Sequence, residues 1–406
     1  MLQKTQTQNW VWSLPVIVIL ASHYCVDVYS SMIPPLIGVV QTEFGLSAVV
    51  SALLLGAGSI SSGLAQPLFA WISDKTGSRI FGPLGVLLGG LGICFVAYLP
   101  NSILLFVVYS LGMIGVGMFH PIATARIGAI AGSQRNFAIS LFFVFGMGGF
   151  FTGSLLGPWL FTTYESLSGL ALLVFPGILM AFLLHHNINR QIDSIKPKTS
   201  ASIVSMGDYN WVSIGFLYLS SVLRFLVNMA IIYLIVRWVE HSLQENDPTE
   251  SPAAISGLAA PIAGKAHAVL FVGQGIGGLL AGMIIKSGKE KWPLIITPIL
   301  FAPFLISLAF LQPGSFLANC ACLFGGVGFS AMTPISIGVG QRIMTGHTRL
   351  ASGLMLGGAW ALGSIGPGLS QWLIDTFSLE VAIISIGTIL MLSGLFAAKV
   401  NIPHAE

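Results

Sequence analysis

The sequence predicts an all-α polytopic membrane protein with twelve transmembrane helices in two six-helix pseudo-symmetric halves. Three observations carry this expectation. Of 406 residues, 55% are hydrophobic and only 8% charged, with a mean hydropathy of +0.88. Soluble domains carry roughly 25% charged residues, so this chain cannot cover a globule with a solvated surface. Its apolar runs recur from end to end, and many reach the ~20 residues that a helix needs to cross the hydrocarbon core. The runs are continuous rather than alternating, which excludes a transmembrane barrel. In lipid a helix satisfies its backbone N–H and C=O groups within one segment.

Taken in order, the first six spans are expected at 11–40, 47–72, 80–99, 102–130, 136–162 and 167–186. The polar stretch 187–210 reads as a cytoplasmic linker. The second six follow at 211–240, 262–286, 292–311, 314–342, 349–374 and 378–400, with a hydrophilic loop at 241–261. The chain thus divides into an N-terminal half, 1–186, the linker, and a C-terminal half, 211–406. The opening "MLQKTQTQNW" has one lysine, and the apolar run after it continues too far for a signal-peptide core, so the first helix is expected to stay as a signal anchor. Cys25, Cys94, Cys320 and Cys322 all fall in apolar segments and read as buried thiols.

Lysine and arginine set the orientation. With the N-terminus inside, the inner loops hold Lys75, Arg79, Arg135, Arg190, Lys196, Lys198, Lys286, Lys289, Lys291, Arg349 and Lys399. The opposite loops hold Glu43, Glu165, Glu245, Asp247, Glu250, Asp375 and Glu380 and almost no basic residue. This separation satisfies the positive-inside rule with both termini cytoplasmic, and an odd number of spans would scramble it.

The halves echo each other. "GSLLGPWL" (Gly153 to Leu160) in span five parallels "GSIGPGLS" (Gly363 to Ser370) in span eleven, and "FHPIA" in span four parallels "MTPIS" in span ten. Small residues let helices approach closely, so these pairs read as packing seams or as traces of an internal duplication, a common transporter plan.

Between spans two and three lies "AWISDKTGSR", Ala70 to Arg79. It resembles the signature loop of the major facilitator superfamily, with Asp74, Lys75, Gly77 and Arg79 matching and Ala70 replacing the leading glycine. The resemblance implies a gate latch at these four residues. The equivalent "GMIIKSGKEK" after span eight lacks the aspartate. Across the first half, "SHYCVDVYSSMIPPL", "EFGLS", "QPLFAWISDK" and "FHP" resemble the fosmidomycin-resistance branch of that superfamily. The match rests on His23, Asp27, Phe119, His120 and Pro121, and departs at Ile122, where an acidic residue is expected. The branch implies efflux of a drug or metabolite in exchange for protons; a bacterial inner membrane, a monomer and no cofactor are the accompanying expectations.

His23 and Asp27 lie four residues apart inside the first apolar run, so on a helix they share one face, extended by Ser30 and Ser31. A charge at bilayer depth costs on the order of 2.5–3.5 kcal/mol even on mild insertion scales, so such groups usually face a bundle interior or a wet cavity. The superfamily fold implies that spans one, four, seven and ten line that cavity. Asp27 is then the expected proton carrier and His23 its partner, or the pair fixes helix packing. His120, Thr124, Arg126, Arg224, Asn228, Thr333, Ser336 and Gln274 are the expected substrate-binding residues. His120 is read either as a ligand or as a cap on the carbonyl freed by Pro121, and Arg126 either as a ligand or as an inner-gate residue. Arg237 and Glu240 read as interfacial, His267 as sharing a face with Gln274, and the phenylalanines at 142, 143, 145, 150 and 151 as lipid or packing surface.

No HExxH, nucleophile elbow or Walker loop is present, which leaves an enzyme or a nucleotide-driven pump without its chemistry. Protons, a small-molecule substrate and the bilayer are the expected partners, and nucleic acid is not. Uptake in place of efflux, and a divalent metal held by His23, Asp27 and His120, stay open as alternatives.

Overall fold

Proline and serine decide where the long apolar runs bend and restart. In the computed structural model, which describes residues 11, 13–76, 80–131, 134–188, 209–285, 288–345 and 347–402, the first span begins as Leu14–Met32 (α1). Pro34 and Pro35 lack the N–H that would continue the ladder, so the chain tightens into a 3-10 turn over Pro34–Leu36. It then resumes as Ile37–Glu43 (α2). Spans two to six follow as Ala48–Thr76 (α3), Phe81–Cys94 (α4), Ser102–Ala131 (α5), Arg135–Tyr164 (α6) and Val174–Ile188 (α7), the last entered through a 3-10 segment at Leu167–Leu173.

The second half begins with Trp211–Asn246 (α8), whose 36 residues give about 54 Å at 1.5 Å per residue. That exceeds the ~30 Å hydrocarbon core, so the helix carries its polar end beyond the lipid. Pro252–Ile284 (α9) starts directly after, and the hydrophilic loop expected at 241–261 shrinks to the turn 247–251. Ser251 caps α9 by accepting from the Ala254 N–H, and Pro252 occupies the first turn, where its missing N–H costs nothing. The alanines that follow favour helix over loop. Lys291–Ser307 (α10), Phe316–Ser330 (α11) and Thr333–Ile343 (α12) form spans nine and ten. Ser315 caps α11 in the same way. Span eleven is composite: Thr348–Ser352 (α13), a π-helical turn at Gly353–Gly358, Ala359–Gly363 (α14) and Gly366–Thr376 (α15). Leu379–Ala397 (α16), capped by Ser378, is the twelfth.

Ten of these helical segments are long and apolar enough by themselves to cross a membrane. The other two spans are the shorter Phe81–Cys94 and the interrupted eleventh. The same pairings recur in both halves. Span one packs on spans five and six, span four on two and three, and three on six; span seven packs on eleven and twelve, ten on eight and nine, and nine on twelve. This repetition is the pseudo-symmetry that the echoed motifs anticipate. The echo is not literal at the prolines: Pro121 lies inside an unbroken α5, whereas Pro334 restarts α12 after a break at Ala331 and Met332.

The two halves meet where α6 packs on α9, where α3 packs on α14 and α15, and where α2 packs on α9. Small residues carry these seams. Gly264 of α9 lies against the backbone of Ser154 on α6, and Gly63 of α3 against that of Ala361 on α14, where an added Cβ would collide.

Candidate functional site

Near the middle of spans one and four, three ionisable side chains converge. Asp27 Oδ2 lies 3.1 Å from His23 Nε2, one helical turn away, and Asp27 Oδ1 lies 3.3 Å from His120 Nε2 on α5. Asp27 and His23 are 1% and 2% exposed, whereas His120 is 24% exposed and forms the open edge of the cluster. No other group among the described residues donates a hydrogen bond to the carboxylate. Ser30 and Ser31, expected to extend the polar stripe, instead donate to the backbone carbonyl of Asp27.

The second nitrogen of each histidine fixes its protonation pattern. His23 Nδ1 lies 2.8 Å from the Phe142 carbonyl, and His120 Nδ1 lies 2.7 Å from the Val116 carbonyl. A carbonyl only accepts, so each Nδ1 carries hydrogen. Each Nε2 therefore presents to Asp27 either a lone pair or a second N–H. A lone pair facing a carboxylate oxygen is repulsive, so each contact becomes favourable when a proton sits between nitrogen and oxygen. The same convergence of two Nε2 atoms and a carboxylate, all within 4.8 Å, also fits a divalent cation. Imidazoles tied through Nδ1–H to carbonyl oxygens are the usual support of a metal ligand.

Packing holds the cluster in place. Phe142 stacks on the His23 ring at 3.5 Å between centroids and is 1% exposed, so this phenylalanine is part of the site and not lipid surface. Phe143, Phe145 and Phe151 are exposed, as expected for lipid or packing surface. The glycine face of α6 lets its backbone come close to α1: a Cβ on Gly146 would sit 2.6 Å from Asp27 Oδ2, and one on Gly149 2.9 Å from Asp27 Cβ. The carbonyl that Pro121 frees is that of Gly117, one residue beyond the one His120 bonds, so His120 does not cap it. Thr124 donates to the His120 carbonyl at 2.7 Å. Arg126 is half-buried on the same helix.

Span seven forms a second centre. Arg224 is 3% exposed; its Nε donates to the Ser220 carbonyl, and its Nη2 to Ser221 Oγ at 3.2 Å and to Ser336 Oγ at 2.6 Å. Thr333 lines the same recess. The Asp27 carboxylate is thus held by histidines, and Arg224 by serines, and the two do not pair. One turn on, Asn228 Oδ1 accepts from Gln274 Nε2 at 2.6 Å. His267 points elsewhere: it is fully buried, with Nε2 2.8 Å from the Ile232 carbonyl.

A third network lies at the membrane face that carries the turns 44–47 and 247–251. Arg237 is largely buried and joins the halves, which corrects its reading as an interfacial residue. It donates to Glu240 Oε2 at 2.7 Å, to Tyr233 Oη at 2.8 Å, to Ser51 Oγ at 2.8 Å and to Gln41 Oε1 at 2.5 Å. Tyr233 in turn donates to Gln371 of span eleven. The arginine is visible in sequence, but its partners are ordinary polar residues with no spacing that marks them. Of the expected latch, Gly77 and Arg79 lie outside the described residues. Asp74 lies on the last turn of α3, and Lys75 Nζ sits 4.0 Å above the Trp71 ring.

Comparison with known proteins agrees with this architecture. A sequence model of the Major Facilitator Superfamily matches residues 19–265. An uncharacterized MFS-type transporter of Bacillus subtilis (strain 168), YfnC, is 26% identical over 149 residues, and that match spans about a third (36%) of each protein. Among solved structures, a bacterial homologue of the human lysosomal transporter Spinster, in its inward-facing and unoccupied conformation, superposes with a TM-score of 0.74 at 14% identity, covering 96% of this chain and 97% of that one. A point mutant of the nucleoside transporter NupG gives 0.72 at 14% identity, covering 96% and 100%. These likenesses establish the fold, and the family match covers more than half the chain. This protein belongs to the major facilitator superfamily of membrane transporters.

Proposed function

We propose that this protein is a secondary active transporter that moves a small solute by alternating access and couples it to protons through Asp27 and His23, as an efflux antiporter of a drug or metabolite. The observation that carries this reading is the buried carboxylate between two imidazole Nε2 atoms, each contact of which calls for a proton. A proton taken up there neutralises a charge that costs free energy at mid-membrane. Its release through His120, the exposed edge, links occupancy of the cluster to access from one side.

His120, Thr124, Arg126, Arg224, Asn228, Thr333, Ser336 and Gln274 supply the substrate contacts, and the Asp74 to Arg79 loop the gate latch. The division into halves at 1–186 and 211–406 gives the two bodies that rock against each other. Loop charge supports cytoplasmic termini, and with that orientation in a bacterial inner membrane the Arg237 network closes the outer side. The resemblance to the fosmidomycin-resistance branch supports efflux over uptake.

One observation favours a second reading, transport of a divalent cation. Two Nε2 atoms and a carboxylate converge on one point, each histidine braced through Nδ1–H. Vesicles of both orientations under an imposed pH gradient, with a panel of organic solutes and of divalent metals, separate these readings. Proton-driven movement of an organic solute supports the first. Metal movement without it supports the second.

A further inference from the structure

Arg224 is a buried cation without an anion. Among the described residues it forms no ion pair, its Nε and Nη2 are occupied by neutral oxygens, and its Nη1 has no hydrogen-bond partner. Breaking a buried charge pair typically costs about 3–5 kcal/mol because it leaves such an uncompensated charge. A second unpartnered donor lies nearby: Trp360 Nε1 is buried without an acceptor, and its ring is 5.3 Å from that of Phe225. Phe225 lines the Arg224 recess with Met355 and also meets Phe329 at 5.7 Å. The recess therefore offers one full positive charge, the open Arg224 Nη1 and the Phe225 ring, with the Phe329 and Trp360 rings packed against Phe225 beside it. It offers no acidic group.

We infer that this recess binds the carboxylate of an amphiphilic organic monoanion, with Arg224 Nη1 on a carboxylate oxygen and the apolar body against Phe225, Phe329 and Trp360. This rests on the transporter reading above and narrows its substrate class. A single guanidinium with one open Nη group matches one charge and one oxygen. A dianion such as phosphate would bring a second charge that the recess does not balance. The inner hydroxyls do not compete for the ligand, because Ser221 and Ser336 already donate to the Leu217 and Met332 carbonyls.

The test is equilibrium binding by thermal unfolding of the detergent-purified full chain. Benzoate, octanoate and inorganic phosphate are compared with benzamide and with chloride at equal ionic strength. A ligand that binds only the folded state raises its stability in proportion to RT ln(1 + [L]/Kd). Benzoate or octanoate should raise the melting temperature saturably, while benzamide, chloride and phosphate should not. Arg224→Gln should weaken the apparent affinity by about 10- to 100-fold, the worth of one charge-assisted hydrogen bond. Arg224→Lys, which keeps the charge, guards against a variant that merely fails to fold and should retain part of the shift. A saturable monocarboxylate shift in a wild type that moves no protons on adding substrate would leave the carboxylate site standing and the proton carrier failed, which separates the two readings. No shift with either monocarboxylate, an equal shift with benzamide, a shift with phosphate alone, or a shift undiminished in Arg224→Gln would overturn the inference.

Discussion

Arg237 Nη2 donates to Gln41 Oε1 at 2.5 Å, and this contact ties the seventh span to the first across the two halves. The same guanidinium bonds Ser51 on α3 and Glu240 on its own helix, so one residue gathers both halves at the face assigned to the outside. Under the proposed orientation and alternating access, this network has to break before the outer side can open.

Arg237→Met removes the shared donor and leaves Glu240 unpaired, at a cost of about 1–3 kcal/mol to the closed form. That corresponds to a shift of roughly 5- to 100-fold in the closed-to-open ratio. Ser256 is buried on α9, where its Oγ is 3.5 Å from Thr42 Oγ1 of span one. A cysteine placed there, in a background without the native four, should react faster with an impermeant thiol reagent when Arg237 is changed. Equal rates in both backgrounds would show that the network does not hold the gate.

Gly146 and Gly148 make a matched pair. A methyl at Gly146 would fall on the His23–Asp27 contact, whereas one at Gly148 would meet the Tyr24 ring at an ordinary 3.5 Å. Gly146→Ala should push α6 from α1, costing about 1–3 kcal/mol of stability and most of the pH-driven transport. Gly148→Ala should leave both nearly unchanged. Transport per amount of folded protein checks this, with melting temperature alongside. Equal behaviour of the two variants would remove the steric argument.

His23→Gln and His120→Gln each remove one of the two nitrogens facing Asp27. Each should lower pH-driven transport by about 5- to 30-fold, equivalent to ~1–2 kcal/mol, and move its pH dependence. Because both act on the same carboxylate, the double variant should lose less than the product of the two. Strictly multiplicative losses would mean that the histidines act separately.

The sequence carried the twelve helices and the His23–Asp27 stripe because both follow from local rules: apolar run length, and the four-residue repeat of a helix face. It also carried His120, through the resemblance of "FHP" to the fosmidomycin-resistance branch. It did not carry Phe142, whose ring and carbonyl hold His23 from 119 residues away, nor Gln41, Ser51 and Gln371 around Arg237. Such contacts depend on how helices are registered, which no single-segment pattern encodes. The 241–261 loop failed for a different reason. Polarity there marks the end of the lipid, not the end of the helix, and the serine and proline at 251 and 252 set the true break.

Orientation has a separate check. A cysteine at the exposed Pro252 should label from outside intact cells, while one at Ser200, which lies outside the described residues, should label only after permeabilisation. Labelling of both from the same side would overturn the orientation.

The most direct test of proton coupling is proton movement on adding substrate to proteoliposomes, for the wild type and Asp27→Asn at matched protein amount. Asparagine keeps the shape of a protonated carboxyl but cannot exchange a proton. Substrate-dependent proton flux is expected in the wild type and none in Asp27→Asn, with passive substrate exchange surviving. Proton flux that persists in Asp27→Asn would contradict the assignment of Asp27 as the proton carrier.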